Sequence, residues 1–416
     1  MRAVGLIVEY NPFHNGHLHH LVESRRRCDA EVAVAVMSGH FLQRGEPALF
    51  DKWRRTELAL AAGVDVVLEL PFPWACNSAP QFARGAVMAL DALGGGVDTL
   101  SFGSEAGEID DLQTTLALLS RHSDTIALQT ARLLRSGMNY PAARAKVVAS
   151  LPDSGVAAGF LEQPNNILGL EYLRALKETG SAMTAITIPR IGAGYHQQQP
   201  VDGIASATGI RHLLRQCSSV DELVPEEIAA SIDAWMEEGA DVCEQRLFQL
   251  LIGRINQGVE TLTEIYQVDH GLEHRLIEAA DVATDYRHLV DEVKSRQMTR
   301  TRIQRTLCYL LNNVMTTRME EMLARGPLYL HLLGASRRGE MFLARCRKQT
   351  SIPIVGNYSR IYQILKRCYG LTGRDAILAG EQLALELKAS RNYSVLMRQW
   401  RQKQRNRDFY EPVRRG

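Results

Sequence analysis

Along the first half of the chain, short apolar runs alternate with stretches in which apolar positions recur every three or four residues. Val4-Gly5-Leu6-Ile7-Val8-Glu9-Tyr10, Glu31-Val32-Ala33-Val34-Ala35-Val36-Met37, Val64-Asp65-Val66-Val67-Leu68-Glu69-Leu70 and Asp98-Thr99-Leu100-Ser101-Phe102-Gly103 read as buried strands. Helical spacing follows each of them: near Asn15, over 51–62, over 80–93 and, at greater length, over 109–150. After that helical insertion the alternation resumes, with a helix over 165–177, a strand Ala185-Ile186-Thr187-Ile188 and a helix over 206–214. Strands and helices in this order predict an α/β domain with a parallel sheet covered on both faces, ending near residue 217. Beyond it, helical spacing over 225–236, 242–255 and 301–315, with short strands at 329–333 and 352–355, predicts a mainly helical second domain over 218–416 that carries a small α/β element.

Composition narrows the class. With 45% hydrophobic and 23% charged residues among 416, the chain is that of a globular protein of roughly two to three domains. A net charge of +1 gives no global attraction to nucleic acid or membrane, so any such contact must come from local patches. The seven cysteines (28, 76, 217, 243, 308, 346 and 368) form no pairing or metal motif and suit a reducing compartment. No run is long and apolar enough for a signal or a membrane span, and a cytoplasmic location is expected.

The junction after the first strand holds the most chemistry: Asn11-Pro12-Phe13-His14-Asn15-Gly16-His17-Leu18, followed by His19 and His20. It reads as a strand, a turn and a helix start, with His14 and His17 on one face of the first helical turn beside unpaired N–H groups. Such a corner suits polyphosphate. Incidental surface histidines and half of a metal site are the competing readings, but no Cys-x-x-Cys or carboxylate stands at matching spacing for zinc. His19 and His20 read as ordinary helix residues.

Other loops leave strands at the same edge of the sheet, where ligands of open α/β sheets bind. Met37-Ser38-Gly39-His40-Phe41-Leu42-Gln43-Arg44-Gly45-Glu46-Pro47 offers Gly39 for close approach and Gln43 and Arg44 for a phosphate or carboxylate. Lys52 is a weaker phosphate candidate beside Asp51, which suits an N-cap. Gly103 ends the fourth strand and would let adenine lie against the backbone. Pro164-Asn165-Asn166 opens a helix, and Ile188-Pro189-Arg190-Ile191-Gly192-Ala193-Gly194-Tyr195-His196 leaves the fifth strand carrying the planar fork of Arg190. In Ser206-Ala207-Thr208-Gly209-Ile210-Arg211, Ser206, Thr208 and Arg211 stand at a helix start, where the glycine is unusual.

The His-x-Gly-His spacing resembles the signature of HIGH-type nucleotidyltransferases, and the Ser206-to-Arg211 block resembles their second phosphate motif. That resemblance implies a Rossmann-like domain in which paired imidazoles bind the phosphates of ATP and stabilise charge on the α-phosphate as pyrophosphate leaves. The ordered set of blocks, together with Thr299-Arg300-Thr301-Arg302-Ile303-Gln304-Arg305, resembles the bacterial tRNA(Met) cytidine acetate ligases over most of the chain. The family implies acetyl-adenylate formation from acetate and ATP, then acetyl transfer to the exocyclic amine of the wobble cytidine of elongator tRNA(Met), without acetyl-coenzyme A. It also implies ATP contacts along Ile7 to His20 and at Gly103, Asn165 and Arg190. Magnesium is expected to accompany ATP.

A tRNA substrate needs basic surface, and two stretches offer it. One contains Arg296, Arg300, Arg302 and Arg305; the other is the tail from Arg391 to Arg415, with Arg398, Arg401, Lys403, Arg405, Arg407 and Arg414 and the aromatic Tyr393, Trp400 and Tyr410. Solvated helix faces would account for the same charges. Two other functions remain open at this level: adenylyl transfer to a small phosphate-bearing acceptor, and a noncatalytic RNA-binding protein that senses ATP. The sequence leaves the oligomeric state open.

Overall fold

The computed structural model describes residues 1–151, 159–190 and 205–416. The loop Ile191 to His196 lies outside them.

One sheet organises the molecule, in the order β5 (Thr184–Pro189), β4 (Thr99–Ser104), β1 (Ala3–Val8), β2 (Val32–Ser38), β3 (Val66–Leu70), β6 (Leu330–Ala335) and β7 (Ile354–Val355), with β8 (Arg414–Arg415) beside β6. β1 to β5 are parallel, as the alternation predicts, and β2 is buried along its whole length because helices cover both faces. On one face the helix Asn15–Cys28 meets β4 through Ser24 Oγ and Ser101 Oγ at 2.7 Å. On the other, Leu90 of the helix Ala79–Asp91 closes over Gly5. Three helices, Ile109–Arg121, Ser123–Arg135 and Tyr140–Ala149, occupy the stretch expected to be a helical insertion.

The later part of the chain is mostly helical, but its strands do not make a separate element. β6 pairs antiparallel with β3, and β7 and β8 extend the same sheet from the other side of β6. The sheet therefore draws on both sides of residue 217. The 23-residue helix Arg374–Leu396 binds the two parts further: Tyr393 donates its hydroxyl to Ala48 O at 2.9 Å, and the Glu386 carboxylate accepts the Phe72 N–H.

Beneath the sheet edge lies a buried ionic cluster. Lys52 Nζ sits 2.6 Å from Glu69 and 2.7 Å from Asp408, Glu69 also contacts His331 Nδ1 at 2.8 Å, and Ser390 donates to Asp408. Burial alone would favour the neutral amine, yet Asp408 and Glu69 hold the Lys52 ammonium protonated well above its usual range. Glu69 is correspondingly held down to about 2: burial raises it, and Lys52 and His331 outweigh that. Glu69, His331 and Asp408 are close enough together to ligate a metal, but both carboxylates already bind the Lys52 ammonium.

Candidate active site

The turn after β1 is built to deliver His14 and His17 to the carboxyl edge of the sheet. Tyr10 takes the left-handed conformation (φ 48°) and is buried against Phe13 and the edge of His17. Arg211 fixes the next residue: its guanidinium donates to Asn11 O at 2.9 Å and to Glu46 Oε1 at 2.9 Å. His14 caps its own helix, with Nδ1 accepting the Gly16 N–H at 3.1 Å. The His14 and His17 rings stack at 3.7 Å between centroids, and His17 Nδ1 is buried with no hydrogen-bond partner. Burial, reinforced by Arg190 and Arg211, lowers His14 to about 3. Burial and the neighbouring His14 likewise lower His17 well below its usual value. Both shifts favour the neutral imidazole, a hydrogen-bonding group, while Arg190 and Arg211 bring positive charge beside it.

A cleft of about 680 Å³ opens over this corner. Of the first segment, Ile7, Val8, Glu9, Tyr10, Asn11, His14, Gly16, His17, His19 and His20 line it, so the last two histidines belong to the site's wall. Pro12, Phe13, Asn15 and Leu18 are not among the cleft's lining residues. Gly103, Asn165 and Arg190 line the same cleft, with Arg190 donating to Asn165 Oδ1 at 3.3 Å. Asn165 and Asn166 are positioned by Glu105, which accepts their backbone N–H groups at 3.3 and 2.8 Å and caps the helix Pro164–Thr179. Ser206, Thr208 and Arg211 join them. Ser206 caps the following helix by accepting the Gly209 N–H at 3.1 Å.

The loop after β2 divides. Gln43 and Arg44 reach the cleft; the Gln43 N–H donates to Glu9 Oε1 at 2.7 Å and its side chain to Asn77 O at 3.2 Å. Gly39 does not reach it. A Cβ there would lie 2.4 Å from Glu69 Oε1, so the glycine makes room for the buried cluster. Lys52, expected as a phosphate contact, is also away from the cleft, because its ammonium is consumed by Glu69 and Asp408.

The basic stretches separate in the same way. Arg300 pairs with Asp291 at 2.5 Å and Arg302 with Asp269 at 2.7 Å, whereas Arg305 lines the cleft. In the tail, Tyr393 is buried rather than available for stacking, Arg407 is held by Asp51 and Glu411 over the Trp53 ring, and Arg414 pairs with Glu57 and Glu411. Arg398 pairs with Asp241 at 2.6 Å while remaining 56% exposed. Trp400, Arg401, Lys403 and Arg405 are exposed or half-exposed side by side along the chain.

Sequence reasoning missed several parts of the wall, among them Ser78 to Pro80 and Phe82. Tyr140 and Arg144 bring the helical insertion to the cleft, and Glu171 and Arg174 face it from the helix Pro164–Thr179, paired at 2.7 Å. The spacing of Glu171 and Arg174 was a readable signal, though a surface pair gives the same one. Glu9 belongs to the segment expected to meet ATP, but nothing local marks it as a carboxyl raised by burial against the opposing effect of Gln43.

Comparison with known proteins agrees with this geometry. The model of the HIGH Nucleotidyl Transferase family matches residues 1–408. The chain is 56% identical over 415 residues to a tRNA(Met) cytidine acetate ligase of Syntrophotalea carbinolica, covering 99% of this chain and 98% of that one. It is 35% identical to the protein of that name from Bacillus subtilis, over 95% of this chain and 92% of the relative. The crystal structure of Thermotoga maritima TmcAL bound with alpha-thio ATP superposes with a TM-score of 0.89 at 34% identity, over 100% of both chains.

Proposed function

Because this chain belongs to the HIGH nucleotidyl transferases and, within them, to the tRNA(Met) cytidine acetate ligases, we propose that it activates acetate with ATP and acetylates the wobble cytidine of elongator tRNA(Met). The observation that carries the reading is the stacked His14–His17 pair with its unpartnered Nδ1, set among Arg190 and Arg211 at the carboxyl edge of a parallel sheet.

The first step needs no protein nucleophile. An acetate oxygen attacks the α-phosphorus, a P–O bond forms, and the bond to pyrophosphate breaks with its electron pair leaving on pyrophosphate. Neutral imidazoles donate to the phosphate oxygens, and the guanidinium groups supply the charge that the crowded phosphorus centre requires. In the second step the cytidine N4 attacks the acetyl carbonyl; the C–O bond of the mixed anhydride breaks, AMP leaves with its electron pair, and N4 loses a proton. The product is N4-acetylcytidine, and acetyl-coenzyme A has no part in this sequence.

Magnesium fits as a companion of ATP. Imidazole, guanidinium and backbone N–H donors suit phosphate, and the described residues around the cleft offer no oxygen cage of their own, so Mg2+ would enter on the phosphates and neutralise part of their charge. The group Trp400, Arg401, Lys403 and Arg405 suits an unpaired RNA strand, combining cationic side chains with a stacking surface.

The test is mass analysis of nucleosides from elongator tRNA(Met) after incubation with the protein, ATP and isotopic acetate. A labelled acetylcytidine at the wobble position is expected. Transfer of AMP to a small phosphate ester, or ATP binding without pyrophosphate release, would replace this reading by one of its competitors.

A further inference from the structure

Arg305 differs from Arg211 in the cleft and from Arg300 and Arg302 on its own helix. Arg300 and Arg302 are paired with carboxylates and Arg211 with Glu46, but among the described residues Arg305 has no ion pair, and its Nε is buried without a hydrogen-bond partner. Its side chain lines the same cleft as His14 and His17 although it comes from the helix Arg300–Leu311, far along the chain.

The backbone that carries it is closely held. Gly45 (φ 81°) lies so near that a Cβ there would be 2.1 Å from Arg305 N, which only glycine permits. Tyr309, one turn further along the helix, donates to Cys76 O at 2.7 Å, and the Gln43 side chain donates to the adjoining Asn77 O. Residues 42–46, 76–80 and the helix bearing Arg305 thus form one wall, in which buried Leu42 and Phe82 also face the cleft.

We propose that this wall is the subsite for the acid substrate: the Arg305 guanidinium binds the carboxylate of acetate, and Leu42 and Phe82 confine its methyl group. A planar guanidinium matches a carboxylate, and an apolar surface beside it favours a small acid over water or phosphate. The imidazole pair and Arg190 line the same cleft and serve the nucleotide there, so an acid held by Arg305 presents its carboxylate oxygen to the α-phosphate. This inference rests on the proposed acetate activation.

The experiment is acetate-dependent ATP–pyrophosphate exchange by wild-type and Arg305→Ala protein, with ATP affinity measured separately by calorimetry in the absence of acetate. Loss of a charge-assisted contact should raise the KM for acetate by roughly tenfold to a hundredfold. ATP affinity should stay within about twofold, and Arg305→Lys should recover part of the acetate KM. An unchanged acetate KM overturns the proposal. A parallel fall in ATP affinity overturns it in favour of a phosphate contact, and loss of tRNA affinity with intact exchange overturns it in favour of an RNA contact. If Arg305→Ala does not give a normal melting curve, Arg305→Met, which keeps the stem, is judged by the same criteria. Failure of wild-type exchange with acetate would instead remove the acetate reading itself.

Discussion

Lys52→Met separates a structural lysine from a phosphate ligand. The substitution removes the ammonium from between Glu69 and Asp408, both about 2% exposed or less, and leaves two carboxylates facing each other in the interior. Removing one partner of a buried pair costs about 3–5 kcal/mol. For 416 residues, at about 2.1 cal/mol/K per residue, the unfolding entropy is about 0.9 kcal/mol/K, so Tm should fall by about 3–6 °C at pH 7. The deficit depends on pH with a definite sign. Glu69 is held down to about 2 in the folded wild type, so the stability it contributes is present above the ordinary carboxylate range and is lost as pH falls toward 2. In the variant the same carboxylate has lost its main cation and protonates more easily. The gap in Tm should therefore be widest near neutrality and narrow below about pH 4.5. Melting curves across pH, paired with ATP titrations well below Tm, make the measurement. An unchanged Tm with ATP affinity lowered tenfold would refute the structural role and return Lys52 to the phosphates.

Three further outcomes can be checked on the site itself. His17→Ala should lower acetate-dependent pyrophosphate exchange by about a hundredfold to a thousandfold with a normal melting curve, since it removes a donor to the α-phosphate; near wild-type exchange would count against that role. Arg190→Ala should weaken ATP use while sparing tRNA binding, and Arg190→Lys should recover little of it, because a point charge does not reproduce the planar fork; equal ATP kinetics in all three proteins would dismiss the contact. Replacing Arg401, Lys403 and Arg405 together by alanine should leave exchange intact, lower tRNA affinity and make its dependence on salt shallower, by about one unit of slope for each phosphate no longer neutralised. Binding of elongator tRNA(Met) over a salt series decides this, and an unchanged slope would make the tail a solvated surface.

The central strands and the His14–His17 corner were legible because they depend on local order: apolar runs, helical spacing and a turn that caps its own helix. The same holds for Ser206 and Arg211, the N-cap of one helix and a residue about one turn along it. Other assignments failed where residue type was a poor guide to environment. A lysine beside a strand-end loop resembles a phosphate ligand until β6 and the segment around Asp408 bring acids to it from remote parts of the chain. Gly39 looks like room for a ligand, yet the space is taken by Glu69.

By itself, then, the amino-acid order determined the parallel sheet, the carboxyl edge over which the cleft opens and the imidazole pair that stands there, since neighbouring residues suffice for each. Only the tertiary structure decided which charges are free to meet a substrate. Arg300, Arg302 and Arg305 share one helix and one composition, but two find surface carboxylates while the third turns into the cleft. A charge's partners are set by what the fold carries to within a few ångströms of it, and over such distances sequence separation has no bearing on the energy.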